Sequence, residues 1–195
     1  MSNTDLVFRL GQIRLIAMDV DGVLTEGGVT WSAGPSGELA EQKTFNVKDG
    51  LGISLARAAG LQIAWITGRV SPIVERRAAE LGVQEVCQWA RDKQACLEEL
   101  ARRLGLRTEQ VLYIGDDVND LPAFAAAGVT AAPSDAAHIV LERADWITQA
   151  AGGRGAAREV IEGVLHAQDR FEDAVEAFLA RLRSEGPAGG RAPGQ

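Results

Sequence analysis

Two carboxylates, Asp19 and Asp21, flank Val20 at the start of the segment DVDGVLT (19–25), directly after the short apolar run IRLIAM (13–18). A run of that length ended by an acidic turn reads as a buried parallel strand, which puts Asp19 at its carboxyl end. Side chains two apart on a strand share a face. Where the strand gives way to a loop, one carboxylate can instead attack a phosphorus atom while the other reaches the leaving-group oxygen. That division splits phosphate-ester hydrolysis into formation and breakdown of an aspartyl-phosphate, with one acid/base serving both halves. Asp19 fits the nucleophile and Asp21 the acid/base. Alone, the pair is read equally well as a solvated turn.

Three further stretches bear on the choice. Thr67-Gly68-Arg69 follows the apolar run QIAWI (62–66), Gly115-Asp116-Asp117-Val118-Asn119-Asp120 follows VLYI (111–114), and Lys93 stands at the start of a helical segment. Singly, Thr67 is a helix N-cap, Lys93 a solvated helix residue, and residues 115–120 an acidic turn at the positive end of a helix. Jointly, every one of these polar groups falls just after, or opposite, a buried strand. A phosphoryl group in transfer spreads negative charge over its oxygens, so it needs positioned donors and positive charge. Thr67 supplies a hydroxyl donor. Lys93 supplies a compact cation that also limits repulsion between the phosphate and Asp19.

The elements that must position these groups are legible by period. Residues 50–59, 72–81, 92–104 and 119–127 carry helical spacing, with Pro72 suited to a first turn and Gly60, Gly82, Gly105 and Gly128 to helix ends. A weaker strand covers 129–132. Strands alternating with helices predict an α/β fold, a doubly wound, mainly parallel, Rossmann-like sheet flanked by helices, in which ligands bind beyond the carboxyl ends of the strands. All the polar turns then fall on one edge, although the strand order stays open. Residues 27–45, with Val29-Thr30-Trp31 and the turn-rich AGPSG (33–37), read as an inserted β-hairpin too short for a separate cap domain. Residues 156–165 and 167–183 read as helices, the latter amphipathic, and SEGPAGGRAPGQ (184–195) has the composition of a mobile tail. One domain over 1–183 with a flexible tail, 184–195, is expected.

Composition excludes several classes. Hydrophobic residues at 46% and charged residues at 24% place the chain among folded globular proteins rather than disordered ones. A net charge of −7 argues against a nucleic-acid backbone binder, which needs clustered Lys and Arg. Cys87 and Cys96 make neither a disulfide framework nor a metal pattern and read as two reduced core thiols. MSNTDLVFRLGQ lacks the features of a secretory signal, and no apolar stretch approaches the ~20 residues of a membrane helix, so a cytoplasmic location with no membrane partner is expected.

The segment DVDGVLT, the Thr-Gly-Arg of 67–69, Lys93 and GDDVND (115–120) resemble, in order, the four signatures of the haloacid dehalogenase superfamily of phosphohydrolases, spanning residues 13–150. The resemblance implies Mg²⁺ as cofactor, held by the Asp19 carboxylate, the main-chain carbonyl of Asp21 and the Asp116 carboxylate, with Asp117 and Asp120 orienting waters and Lys93. FNVKDGLG (45–52) and AGGRGAARE (151–159) are similar to strings of a capless subgroup acting on sugar-acid phosphates. That implies 3-deoxy-D-manno-octulosonate 8-phosphate as substrate, a place in lipopolysaccharide biosynthesis, and a homotetramer whose hairpins assemble so that neighbouring subunits close each site. A nine-carbon keto sugar acid 9-phosphate, another small phosphometabolite, a noncatalytic oligomerisation module and a phosphorylation-receiver domain are the alternatives. Asp49-Gly50 would open a helix near the site. Arg69 is the candidate for a substrate carboxylate, since a guanidinium can grip one bidentately. The glycine turn at 152–155 beside Arg154 is read equally as an anion-binding turn or a plain loop, and Arg76 and Arg77 as substrate contacts or solvated residues. Val70-Ser71-Pro72, where the subgroup is often more basic, leaves the sugar open.

Overall fold

The computed structural model describes residues 3–184. The expected tail, including Arg191, therefore lies outside the described residues apart from Ser184. In chain order the elements are α1 (Asn3–Leu10), β1 (Leu15–Met18), β2 (Thr30–Ala33), β3 (Leu39–Gln42), α2 (Val47–Ala58), β4 (Gln62–Ile66), α3 (Pro72–Leu81), β5 (Glu85–Cys87), α4 (Lys93–Arg103), β6 (Val111–Ile114), α5 (Leu121–Ala125), β7 (Val129–Ala132), α6 (His138–Leu141), β8 (Trp146–Ile147), α7 (Ala156–Ala167) and α8 (Phe171–Ser184).

Six strands form one parallel sheet in the order β5-β4-β1-β6-β7-β8, and β2 pairs with β3 as a separate antiparallel hairpin. Strand β1 is central. Its Met18 lies beside Trp65 of β4 and Ile114 of β6, so Asp19, Thr67 and Asp116 leave the sheet side by side. Order of the strands thus makes one site of three separate sequence fragments, at the edge where open α/β sheets bind ligands.

Alternation along the buried strands fills two cores. Ile16, Met18, Ile63, Trp65, Leu112 and Ile114 pack on one face with α2, α7 and Val74 and Ala78 of α3. Leu15, Ala17, Ala64, Ile66, Val111 and Tyr113 pack on the other with Leu97 of α4, Phe124 of α5 and Val140 of α6. Both faces are covered, which is why the four central strands read as unbroken apolar runs rather than alternating ones.

Several boundaries differ from expectation for local reasons. The helix expected over 119–127 is shorter: Val118–Asp120 form a 3₁₀ turn, and the α-helix runs only from Leu121 to Ala125. The amphipathic helix expected from residue 167 begins at Phe171, because Asp169 takes a left-handed φ of 53° that separates it from α7. Cys87 and Cys96 are free and half-buried, packed against the second core at its β5 and α4 edge. Among the described residues no helix is long and apolar enough to cross a membrane.

Candidate active site

The cleft at the carboxyl ends of β1, β4 and β6 is lined by Asp19, Asp21, Gly27, Thr67, Gly68, Arg69, Asp116, Asp117 and Asn119. Asp19 is buried. Its Oδ1 accepts the Val20 N–H at 2.7 Å, and its Oδ2 pairs with Lys93 Nζ at 2.8 Å. Lys93 reaches there because α4 begins at that residue, with Asp92 as N-cap accepting the Ala95 N–H, and because its side chain runs inward, 2% exposed. The same ammonium donates to Asp120 Oδ1 at 2.7 Å. Burial alone would pull Lys93 down, but the two carboxylates more than reverse that and hold it above its ordinary value.

Asp120 is the most heavily committed group in the cluster. Its Oδ1 also accepts the Tyr113 hydroxyl at 2.8 Å, and its Oδ2 accepts the main-chain N–H groups of Asp116 at 3.0 Å and Asp117 at 3.3 Å. It organises Lys93 and the acidic turn and has little capacity left for anything else. Asp116 is the opposite case: its buried Oδ1 has no hydrogen-bond partner. Desolvation, then the charges of Asp19 and Asp120, push Asp116 up to about 8, and desolvation followed by Asp120 pushes Asp19 up to about 7.

This arrangement fits a divalent cation. Asp19, Asp116 and Asp120 offer oxygens within 4.8 Å of one another against the one ammonium of Lys93, a formal excess of two negative charges. Hard oxygen donors suit Mg²⁺. With Asp120 spent on Lys93, Tyr113 and the turn, Asp19 and the unpartnered Asp116 are the carboxylates free to bind one.

The loop after Asp21 is held close to this cluster by glycines. Gly22 has φ +94°, and a Cβ there would lie 2.0 Å from Asp116 Oδ2. The AGGRGA string acts at the same loop. A Cβ on Gly152 would stand 1.8 Å from the Gly22 carbonyl oxygen, and the Gly153 N–H donates to Val23 O at 2.9 Å. Arg154 turns outward to Glu26 at 3.0 Å. The glycines of that turn pack against the loop after Asp21. Gly152→Ala is expected to destabilise by about 3 kcal/mol or more, since the clash is with backbone and cannot be relieved by a rotamer. Thermal unfolding reads it; a melting temperature unchanged from wild type would contradict this account of the string.

Other expected residues are placed elsewhere. Asp49 does not line the cleft: it is buried and accepts the Arg158 N–H at 2.8 Å, tying the first turn of α2 to the start of α7. Gly50 follows it, packed so that a Cβ would meet Arg77 at 2.6 Å. Helix α2 starts at Val47, earlier than its period suggested, which turns both residues toward α7 and α3. Arg76 and Arg77 pair with Glu80 on α3, and Asp117 caps the 3₁₀ turn through the Val118 N–H. The hairpin contributes residues that sequence spacing did not single out. Lys43, 2% exposed in its side chain, contacts Asp21 Oδ1, and Glu41 accepts from Arg69 Nη2 at 2.7 Å. Tyr113 is the other omission, hidden in a strand where an aromatic reads as core.

Residues 35–128 match the haloacid dehalogenase-like hydrolases. The 3-deoxy-D-manno-octulosonate 8-phosphate phosphatase KdsC of Escherichia coli K12 is 40% identical over 172 residues, 88% of this chain and 89% of that protein. The crystal structure of the Yersinia pestis phosphatase of that name superposes with a TM-score of 0.81 at 42% identity, over 86% of this chain and 89% of that one. The Moraxella catarrhalis enzyme, solved with a magnesium ion, a phosphate ion and a KDO molecule, gives 0.84 at 37% identity over 91% and 99%. A shared fold and about 40% identity over nearly the whole described body place the chain in one family with these proteins: it belongs to the haloacid dehalogenase-like hydrolases.

Proposed function

We propose that this protein is a magnesium-dependent phosphatase that hydrolyses 3-deoxy-D-manno-octulosonate 8-phosphate to the free sugar acid and phosphate. The observation that carries this reading is Asp19, a buried carboxylate at the end of the central strand, paired with Lys93 and facing Asp116 and Asp21 across one cleft. Asp19 attacks phosphorus, and the bond to the ester oxygen breaks as Asp21 gives that oxygen a proton. Asp21 then takes a proton from the water that attacks the aspartyl-phosphate, returning Asp19 as a carboxylate. Thr67 donates to the phosphoryl oxygens, Gly68 and Arg69 line the cleft beside it, and Lys93 offsets the approach of two negative groups. The Asp19 carboxylate, the main-chain carbonyl of Asp21 and the Asp116 carboxylate would hold Mg²⁺, which would supply positive charge to the transferring group. Asp117 and Asp120 orient its surroundings.

The assembly we propose is a homotetramer built through the hairpin. A lone two-stranded hairpin is marginal in water, and β2–β3 leaves Val29, Trp31 and Leu39 about half or more exposed. Burial against other copies would account for both. The division into one domain with a short C-terminal tail, and a cytoplasmic setting, belong to the same proposal.

Kinetics test it. We expect kcat/KM for the octulosonate 8-phosphate to exceed that for a nine-carbon keto sugar acid 9-phosphate and for plain sugar phosphates, and to collapse in chelator. Faster turnover of any of those competitors would reassign the substrate. The pH dependence of metal binding follows from the raised carboxylates. Their ordinary value is 3.8, so in the metal-free fold the cost of ionising them appears as pH climbs from about 4 toward 8. Below about 7 to 8, magnesium must displace protons. Affinity should therefore fall at least ~10-fold between pH 8 and pH 6, with proton release on binding. Calorimetry in two buffers of different ionisation enthalpy measures both; a pH-independent affinity would show that these carboxylates are not the ligands.

A further inference from the structure

Two buried polar atoms face each other at the cleft without partners: Asp21 Oδ2 and Arg69 Nε, 3.8 Å apart. Asp21 Oδ1 and Arg69 Nη2 are already engaged. Lys43 Nζ contacts Asp21 Oδ1 and lies 3.7 Å from Glu41 Oε1, while Arg69 Nη2 donates to that same Glu41 oxygen at 2.7 Å. Asp21, Lys43, Glu41 and Arg69 thus close a ring in which carboxyl groups alternate with cationic ones, joining the hairpin to the site. Lys43 and Glu41 are deep in it, their side chains 2% and 10% exposed. Within the buried ring, Asp21 Oδ2 and Arg69 Nε are the atoms left without a hydrogen-bond partner.

Buried donors and acceptors without partners are rare in folded proteins. At 3.8 Å these two are too far apart to bond each other, yet a single oxygen about 2.8–2.9 Å from each would satisfy both. That oxygen must accept from a guanidinium N–H and exchange a proton with a carboxyl group. An ester oxygen leaving phosphorus does both. A substrate carboxylate fits less well, because it would face the Asp21 carboxyl group, and a grip through Nε and Nη2 together would have to displace Glu41, which Lys43 also holds.

The geometry points to Arg69 as a second catalytic residue for departure of the alcohol, with Glu41 and Lys43 positioning it and Asp21. This rests on the proposed roles of Asp19 and Asp21. As the Asp19 oxygen bonds to phosphorus and the P–O ester bond breaks, the electron pair of that bond goes to the ester oxygen. Asp21, which carries a proton on Oδ2 when the substrate is bound, gives it to that oxygen, and Arg69 Nε–H donates a hydrogen bond to the same oxygen while keeping its own proton. In the second half the water that enters loses its proton to Asp21, which restores the starting state.

The test uses three substrates with the intact magnesium enzyme: the sugar-acid phosphate, a plain primary alkyl phosphate without a carboxylate, and p-nitrophenyl phosphate, whose leaving group needs little help. Because kcat/KM reports the first irreversible step, it is read throughout. Arg69→Gln should lower it about 10²-fold for both alkyl esters and by less than ~5-fold for the aryl ester. Glu41→Gln should give the same pattern at smaller amplitude, which a merely structural role would not. An equal loss on all three substrates would put Arg69 on the phosphoryl group. A loss confined to the sugar acid would put it on the carboxylate. Either result overturns the proposal. Asp21→Asn, run in parallel, should show the same discrimination more strongly; if it does not, the acid/base assignment fails, and the Arg69 comparison still decides Arg69's own role. Arg69 is 42% exposed in its side chain, so its replacement empties no core.

Discussion

Asp19→Asn is expected to lower turnover by about 10⁴-fold or more while raising the stability of the metal-free protein at pH 8. The first half follows from chemistry: an amide cannot form the aspartyl-phosphate, and Thr67, Lys93 and the metal can only bind the substrate that remains. The second half follows from the sign of the linkage. Burial first, then Asp120, push Asp19 from 3.8 to about 7, outweighing the Lys93 pair and the Val20 N–H. A carboxylate with a raised folded value favours the fold below its unfolded value and loses that contribution as pH rises through the folded one. At pH 8 the wild-type protein has lost it, whereas asparagine, which resembles the protonated acid in shape, has not. At pH 5 both proteins are neutral at this position and the difference should vanish. Melting curves in chelator at the two pH values, with intact-mass spectrometry for the phosphoryl-enzyme, measure it. Turnover within tenfold of wild type would remove Asp19 from the mechanism, and a variant less stable at pH 8 would mean that the Lys93 pair outweighs burial.

A site that costs stability in this way is legible in sequence only as a set, because each of its polar groups alone has a plain reading. Two buried carboxylates and a half-buried one around one lysine make poor packing, and in sequence Asp19, Lys93, Asp116 and Asp120 stood out by falling together just after, or opposite, buried strands. The four central strands were legible for the complementary reason, being short apolar runs that end in polar turns. Helix α3 fell on its expected bounds because Pro72 fixes its start and Gly82, at φ 65°, its end. Strands β5 and β8 had no such signal: they are edge strands of three and two residues, partly exposed, with pairing on one side only. Lys43 and Glu41 were hidden differently. In sequence they are charges on an exposed hairpin, and only the way the hairpin folds back over β1 and β4 buries them against Asp21 and Arg69. Asp49 shows the converse case. Its place in FNVKDG suggested the cleft, but an acidic residue in a first helical turn can as readily cap a neighbouring helix, and here it holds the Arg158 N–H.

Removing the cation should expose the cost that it offsets. Lys93→Met keeps most of the buried stem and deletes the ammonium that serves Asp19 and Asp120. In metal-free protein at pH 8 we expect a loss of about 3–5 kcal/mol, the usual consequence of leaving buried charge uncompensated. The loss should shrink toward pH 5. Lysine itself contributes no slope there: its ordinary value of 10.5 is raised further in the fold, so it is charged in both states across that range, and its stabilisation would be lost only at higher pH. The slope comes from the carboxylates, which take up protons as pH falls and cease to need a partner. Magnesium should restore much of the stability, since it brings positive charge to the same cluster, but not turnover, which should stay about 10³-fold down because the lysine's charge is aimed at the nucleophile and the incoming phosphate. Melts at pH 5 and 8 with and without magnesium, beside kcat, separate these effects. A loss equal at both pH values would show that Lys93 serves the core through its methylene stem, and recovery of turnover on adding magnesium would show that its charge has no task the metal cannot perform.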